Sequence, residues 1–390
     1  METKQCQNCQ KDFKIGPEDF VFYEKINVPP PTWCPECRMI RRKIFRNERQ
    51  LYVRDCNLCK QKTISMYPQE SLFNILCHKC WWSDKWNPLD FGRDYNWSKY
   101  FFLQFRELMF SVPRVALVQY HQNVNSEFNN FISDCKNTYL SNSAVSCENV
   151  AYSMAIDKTR DTLDSAFVKN SELCFENIDS SDNSNCIYLL KSRNCLDCAY
   201  LFDSVNCTNC FMSSNLRNKQ FVFRNLQLTK GEYFKKIAEI QFGSHEISQK
   251  LKKEYSDMAI SSLHKFANLI KTTNCVGDNI SNSRNIYRSF NVYNAENIRY
   301  STRSYDTKDS YDQRAGVNGE LLYEVMTPGY SSSRALFCTY GEQTSNSNLS
   351  DWCHNSQSLF ACIGLRNKSY CILNKQYTKE EYEALLPRII

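Results

Sequence analysis

Eight cysteines in the first 80 residues stand as four CxxC pairs: Cys6/Cys9, Cys34/Cys37, Cys56/Cys59 and Cys77/Cys80. A CxxC turn brings two thiolates to one side of a tight knuckle. Two knuckles then complete a tetrahedral set of four sulfur ligands, the arrangement Zn2+ favours. Gaps of 24 and 17 residues between the paired knuckles leave room for a hairpin. The spacing predicts two zinc ions with four cysteine ligands each, and His78 inside CHKC reads as an exposed spacer. The same spelling returns at 195–210, CLDCAYLFDSVNCTNC, where Cys195, Cys198, Cys207 and Cys210 raise the question of a third metal site.

The whole chain narrows the chemistry. At 390 residues, 42% hydrophobic and 23% charged, it has the composition of a soluble globular protein of two or three domains. The 21 cysteines are odd in number, and no apolar leader opens the chain. The thiols are therefore expected to be reduced and the protein cytoplasmic. No apolar run approaches a membrane span. Glycine is scarce, at 10, and neither GxxxxGK[ST] nor GxGxxG occurs. The five histidines form no HxH or HExxH pair, and GxSxG is absent. The reading is a non-enzymatic protein. A solenoid enzyme acting on a polymer such as a polysaccharide competes with it; such an enzyme would need clustered carboxylates in a groove, and Asp157, Asp161, Asp164, Glu172, Glu176 and Asp179 read more simply as solvated edges.

The elements that would position the first knuckles follow a simple order. CQNC precedes strand-like KDFKI and FVFYEKI, separated by the turn GPED. VPPPTW then leads to CPEC and a helix-like basic stretch. Knuckle, hairpin, knuckle at a helix N-terminus is treble-clef order, and the helix dipole favours thiolates there. CNLC, KTISMY, SLFNIL and CHKC repeat the plan. The stretch CQNCQKDFKIGPEDFVFYEKINVPPPTWCPECRMIRRK resembles the bacterial "probable zinc-ribbon" treble-clef family in Cys6, Cys9, Phe13, Phe22, Tyr23, Pro31, Cys34, Pro35, Cys37 and Arg38. Over its full length the chain resembles two-zinc-ribbon proteins of environmental bacterial genomes, which also carry CWWSDKW (80–86) and LRNK…NKQYTKEEY (365–382). The resemblance implies zinc ribbons and brings no activity.

Basic residues follow the second knuckle. RMIRRKIFRNERQLYVR (38–54) reads as a helix with Ile40, Ile44 and Leu51 as its buried stripe and an arginine face of Arg38, Arg41, Arg42, Arg46 and Arg49. Such a face beside a zinc module is a candidate phosphate footprint. The surrounding charge is modest. Residues 1–121 hold 19 Lys/Arg against 13 Asp/Glu, and eight thiolates with two Zn2+ would reduce that net +6 to about +2. The competing reading docks the face on acids elsewhere in the chain. Trp81, Trp82, Trp86 and Trp97 read as seals of a small zinc core rather than base-stacking platforms.

From residue 123 the chain falls into blocks of twelve: NVNSEFNNFISD, CKNTYLSNSAVS, CENVAYSMAIDK and five more, to residue 218. A fixed period without helical spacing predicts a β-solenoid, with one block or two per coil. Cys195, Cys198, Cys207 and Cys210 fall on columns that elsewhere hold Ser, Thr, Asn or Val. Repetition therefore explains their spacing, and a reduced Cys/Ser/Thr ladder is expected in place of a metal site. A second array follows 283, with a one-residue slip assigned to Thr327-Pro328-Gly329. LRNKQFVFRNLQLTKGEYFKKI (from 216) and LRNKSYCILNKQYTKEEYEALL (from 365) end the two arrays alike, and Thr229/Glu232 and Thr378/Glu381 open a capping-box helix in each.

The predicted fold is mainly β with some helix: two small treble-clef zinc ribbons, then a duplicated β-solenoid of twelve-residue repeats with strand–helix caps. The expected boundaries are 1–54 and 55–92 for the ribbons, 93–121 for a connecting helix, 122–241 for the first array, 242–272 for a linking helix and 273–390 for the second array. The expected role is a zinc-binding recognition or scaffold protein. Its zinc modules would contact nucleic acid and its solenoid would present a second surface. A purely protein–protein scaffold is the alternative.

Overall fold

The structure is a computed structural model that describes residues 1–327 and 330–390. It divides into two compact units. One comprises Met1–Asn47, Ser71–Arg114 and Lys265–Ile390; the other comprises Glu48–Glu70 and Val115–His264. Among the described residues no helix is long and apolar enough to cross a membrane.

In the second of these units the twelve-residue period becomes strand pairing. Ala144 lies parallel to Ile132 on one side and Ile156 on the other. The same i to i+12 register recurs as far as Cys210 and Val222. One block is therefore one coil of a β-solenoid.

Within the period of twelve lies a period of three that the sequence reading missed. Cys135, Thr138, Ser141, Ala144, Cys147 and Val150 are all buried inside the coil. The residue before each (Asp134, Asn137, Leu140, Ser143, Ser146, Asn149) turns a corner at φ between +44° and +54°. A coil thus has four sides of three residues. L-residues resist this left-handed region, and Asn and Asp tolerate it best. Corner asparagines also stack: Asn125 donates to Asn137 at 3.1 Å, Asn137 to Asn149 at 2.9 Å and Asn149 to Asp161 at 2.8 Å.

The small polar interior has a backbone reason. Ser141 Oγ donates to the carbonyl of Tyr139 at 3.1 Å and accepts the N–H of Ser153, one coil on, at 3.0 Å. Ser153 repeats the pattern toward Ser165. Buried N–H groups left over by the corners are paired in this way, which avoids the cost of burying them alone.

The other unit carries the second array. It opens earlier than expected, in the strand Leu269–Tyr293. The twelve-residue register of Ile286 with Ile298 and Tyr311 with Tyr323 becomes thirteen at Tyr323 with Leu336, then returns to twelve at Ser333 with Ser345. Pro328 and Gly329, to which the slip was assigned, lie outside the described residues.

Both arrays close as the duplication predicts. The antiparallel pairs Val222–Gln227 and Cys371–Gln376 lead into the helices Lys230–Ala238 and Lys379–Ile389, each opened by its Thr/Glu capping box. Tyr233 and Tyr382, equivalent positions of the two copies, are both buried.

Three local expectations change. FVFYEKI is no strand: Pro17–Lys25 is a helix with Pro17 in its first turn, and Gly16 N–H donates to Asp19 Oδ2 at 2.8 Å. Asp12–Ile15 pairs instead with Glu2–Gln5. The basic helix stops at Lys43, and Tyr52–Asp55 is a strand paired with Lys62–Ser65. In the linking segment, helix His245–Ser261 buries Leu251, but Leu263, Phe266 and Ile270 lie beyond its end and are exposed.

Candidate metal centres and the arginine face

Cys6 and Cys9 sit on a turn between the two N-terminal strands. Cys6 N–H donates to Lys11 O and Gln10 N–H to Cys6 O, both at 2.9 Å, and Gln10 takes φ +61° to close the knuckle. Cys56 and Cys59 repeat it with the same two bonds, at Gln61 O and Lys60 N–H, and Lys60 at φ +62°. Cys34 caps the helix Pro35–Lys43, which places Cys37 in its first turn. Cys77 likewise caps His78–Trp81, with Cys80 inside.

The ligand atoms of Cys6, Cys9, Cys34 and Cys37 lie within 4.8 Å of one another, as do those of Cys56, Cys59, Cys77 and Cys80. Among the described residues these are the groups whose geometry could hold a metal ion. The sulfurs of Cys9 and Cys34 are 3.8 Å apart. A tetrahedron with metal–sulfur bonds of about 2.3 Å has an edge of about 3.8 Å, so this distance fits a four-thiolate site. Nearby N–H groups point at the sulfurs: Cys34 N–H donates to Cys6 Sγ at 3.2 Å and the Asn8 amide to Cys37 Sγ at 3.3 Å. Burial pushes the Cys6 thiol up, but backbone N–H groups of Cys34, Cys9 and Asn8 outweigh it together and bring it down to about 6. Burial lifts Cys34 to about 12.

The cysteines at 195–210 are placed otherwise. All four are buried inside the first array, and each thiol donates to the carbonyl two residues back: Cys195 to Arg193 at 3.4 Å, Cys198 to Leu196 at 3.2 Å, Cys207 to Val205 and Cys210 to Thr208 at 3.5 Å. Serine does the same elsewhere in the array, as Ser141 does. The second array has the same ladder, where burial pushes Cys338 up to about 12 and Cys371 to about 11. In the first array the thiols act on one another: hydrogen bonds from Cys195 and Cys210 bring Cys207 down to about 3, while Cys195 is pushed up to about 12 and Cys210 to about 11.

The arginine face is inverted relative to expectation. Arg38 is 1% and Arg42 5% exposed, whereas Ile40 and Ile44, expected to be buried, are 58% and 78% exposed. The cause lies in the second array of the same unit. Arg38 Nη2 is 2.8 Å from Asp312 Oδ2; Arg42 Nη1 is 3.0 Å from Asp312 Oδ1 and 3.1 Å from Glu324 Oε2. Arg41 reaches Glu324 Oε1 at 2.6 Å, and Arg46 donates to Thr327 Oγ1 at 2.7 Å. Burial and the neighbouring Asp312 push the Glu324 carboxyl up, against the pull of Arg42, Arg41 and Arg38. Arg49 lies beyond the helix and contacts Met154 Sδ at 3.7 Å. All five arginines expected to meet phosphate therefore have a partner within the chain, four of them at Asp312, Glu324 or Thr327.

Around this ion cluster the first knuckle module packs on the array. Phe22 stacks on Tyr311 with ring centroids 3.9 Å apart, and Tyr23 meets Tyr323 edge-on at 5.6 Å. Lys25 pairs with Asp309 at 2.6 Å and Arg299 with Asp19 at 3.1 Å. The sequence reading named none of these partners. Asp312 stands 274 residues from Arg38, and nothing local marks it. Trp81 is buried against Trp86 and Trp352, as a core seal would be, whereas Trp82 and Trp97, given the same reading, are 41% and 55% exposed.

No protein-family model matches the chain, and no curated protein matches it either.

Proposed function

We propose that the chain is a zinc-stapled scaffold for protein partners, with its zinc modules in structural roles. The observation that carries this reading is the engagement of Arg38 and Arg42 by Asp312 and Glu324, which turns the basic helix into an internal fastener. Zinc suits the two sites because each offers four cysteine sulfurs, and the Cys9–Cys34 sulfur–sulfur distance matches a tetrahedral edge. When bound, zinc would hold each pair of knuckles together and fix the small modules, which are too small to fold well on apolar burial alone. The module of the first site would thereby hold Arg38 and Arg42 over the buried carboxylates.

Native mass spectrometry of the purified chain, combined with titration of mixed DNA and RNA at low salt, tests the reading. It expects two zinc ions and no salt-dependent binding. Binding that weakens steeply with salt and is lost in Arg42→Ala or Arg49→Ala, without unfolding, would return the face to nucleic acid.

A further inference from the structure

Two adjacent outer columns of the first array carry its large apolar residues. In the later coils they hold Phe175, Tyr188, Tyr200, Phe211 and Met212, which pack under the chain's own helices Lys230–Ala238 and His245–Ser261. Tyr188, Tyr200, Phe211 and Met212 are at most 8% exposed there. The same columns continue toward the N-terminal coils with Phe128, Tyr139, Leu140, Tyr152 and Leu163, each 43–55% exposed. The register leaves no doubt about the continuity: Tyr139 pairs with Ala151, Ala151 with Leu163, and Leu163 with Phe175.

The covering helix shows what kind of element fits. Its Lys252 reaches Glu176 at 3.0 Å while Glu254, two residues on, pairs with Arg224 at 2.5 Å. Residues 176 and 224 are four coils apart while Lys252 and Glu254 point to opposite sides of the helix, so its breadth spans those coils. Its apolar side supplies Leu251, Tyr255 and Met258. Lys252 Nζ also sits 5.0 Å over the Tyr188 ring. One coil before Glu176 the column holds Asp164, which is exposed. The uncovered strip from Phe128 to Asp164 spans three coil steps, about 14 Å at about 4.8 Å each. That is the breadth of one α-helix with its side chains, about 10–12 Å.

We infer that this strip is the docking site for one amphipathic helix of a partner protein, laid over the N-terminal coils beside His245–Ser261. Its underside is aliphatic and aromatic, and it carries a lysine that meets Asp164. The inference rests on the scaffold reading, since it names the surface that the scaffold offers, and it is independent of the metal count.

The probe is a fluorescein-labelled synthetic peptide of residues 243–262, whose underside already fits these columns in later coils. It is titrated into the intact zinc-loaded chain and followed by anisotropy, with hydrogen exchange on the complex. The expected result is saturable binding of one peptide per chain, protection of residues 136–166, and a loss of about tenfold or more in affinity for Tyr152→Asp and for Leu163→Asp. Ile260→Asp in the chain, a surface control, leaves binding unchanged, and all three variants keep the wild-type melting temperature. Absent binding, or binding indifferent to Tyr152→Asp and Leu163→Asp, overturns the site. A wild-type dimer in sedimentation that Tyr152→Asp dissolves would assign the strip to a second copy and also overturn it. Failure here with two zinc ions and no nucleic-acid binding leaves the scaffold reading standing.

Discussion

Cys6 and Cys9 have the same spacing as Cys195 and Cys198, and the two pairs sit in opposite surroundings. The first pair lies on a hydrogen-bonded turn that bends both thiols toward Cys34 and Cys37. The second lies in the strand Arg193–Phe202, on successive sides of one coil, and each thiol bonds its own backbone. A turn makes neighbouring thiols converge and gives Cys6 the backbone N–H donors that bring it down. A coil instead gives each thiol a carbonyl two residues back to bond. The CxxC spelling is shared; the backbone under it decides whether the pair is a ligand set or a packing unit.

Breaking the knuckle has the largest expected effect. Cys37→Ser removes one of four ligands from the first site, and structural zinc sites in small modules contribute on the order of 10 kcal/mol of folding free energy. Native mass spectrometry should find one metal fewer, and limited proteolysis should cut within residues 1–47. The next effect comes from the fastener between module and array. Arg42→Met leaves Asp312 and Glu324 short of a buried partner and should cost about 3–5 kcal/mol in urea unfolding. Arg42→Met combined with Glu324→Met should recover part of that loss.

A smaller, pH-dependent effect sharpens the picture of the second array. Burial, helped by the Arg366 charge, lowers His354 from its ordinary 6.5 to about 4, with Glu342 at 4.0 Å on its other side. The folded state keeps the imidazole neutral, so the unfolded state binds the proton first as pH falls. Stability is therefore full above about pH 6.5 and declines between 6.5 and 4 by up to about 3 kcal/mol. His354→Asn should flatten the urea midpoint across that window. The smallest effect is expected in the ladder: Cys198→Ser keeps a donor for the Leu196 carbonyl and should shift stability by about 1 kcal/mol or less, with no change in metal content.

How much of this was legible in the sequence follows from the range of each interaction. The eight knuckle cysteines, the twelve-residue period and the duplicated caps are local or repetitive, and each could be read directly. The corner period of three was present too, in the small residues Cys135, Thr138, Ser141, Ala144 and Cys147, with Asp134 and Asn137 each standing just before one of them. It escaped because corners also accept Leu140 and Tyr152, so composition alone blurs it. FVFYEK was misread because its apolar residues suit either period, and the Gly16–Asp19 cap decides for helix. The arginine helix was turned the wrong way round for a different reason. Local pattern buries Ile40 and Ile44. Two carboxylates from distant sequence, Asp312 and Glu324, reverse the choice by pairing Arg38 and Arg42 in the interface.

Thiol mapping tests the contrast between the two kinds of CxxC most directly. The folded chain is treated with a strong chelator and alkylated without denaturant, and the modified cysteines are identified by mass spectrometry. The account predicts chelator-dependent labelling of Cys6, Cys9, Cys34, Cys37, Cys56, Cys59, Cys77 and Cys80, while Cys195, Cys198, Cys207 and Cys210 react only after full unfolding. Release of a third metal ion, or labelling of the 195–210 cysteines together with the eight, would contradict it.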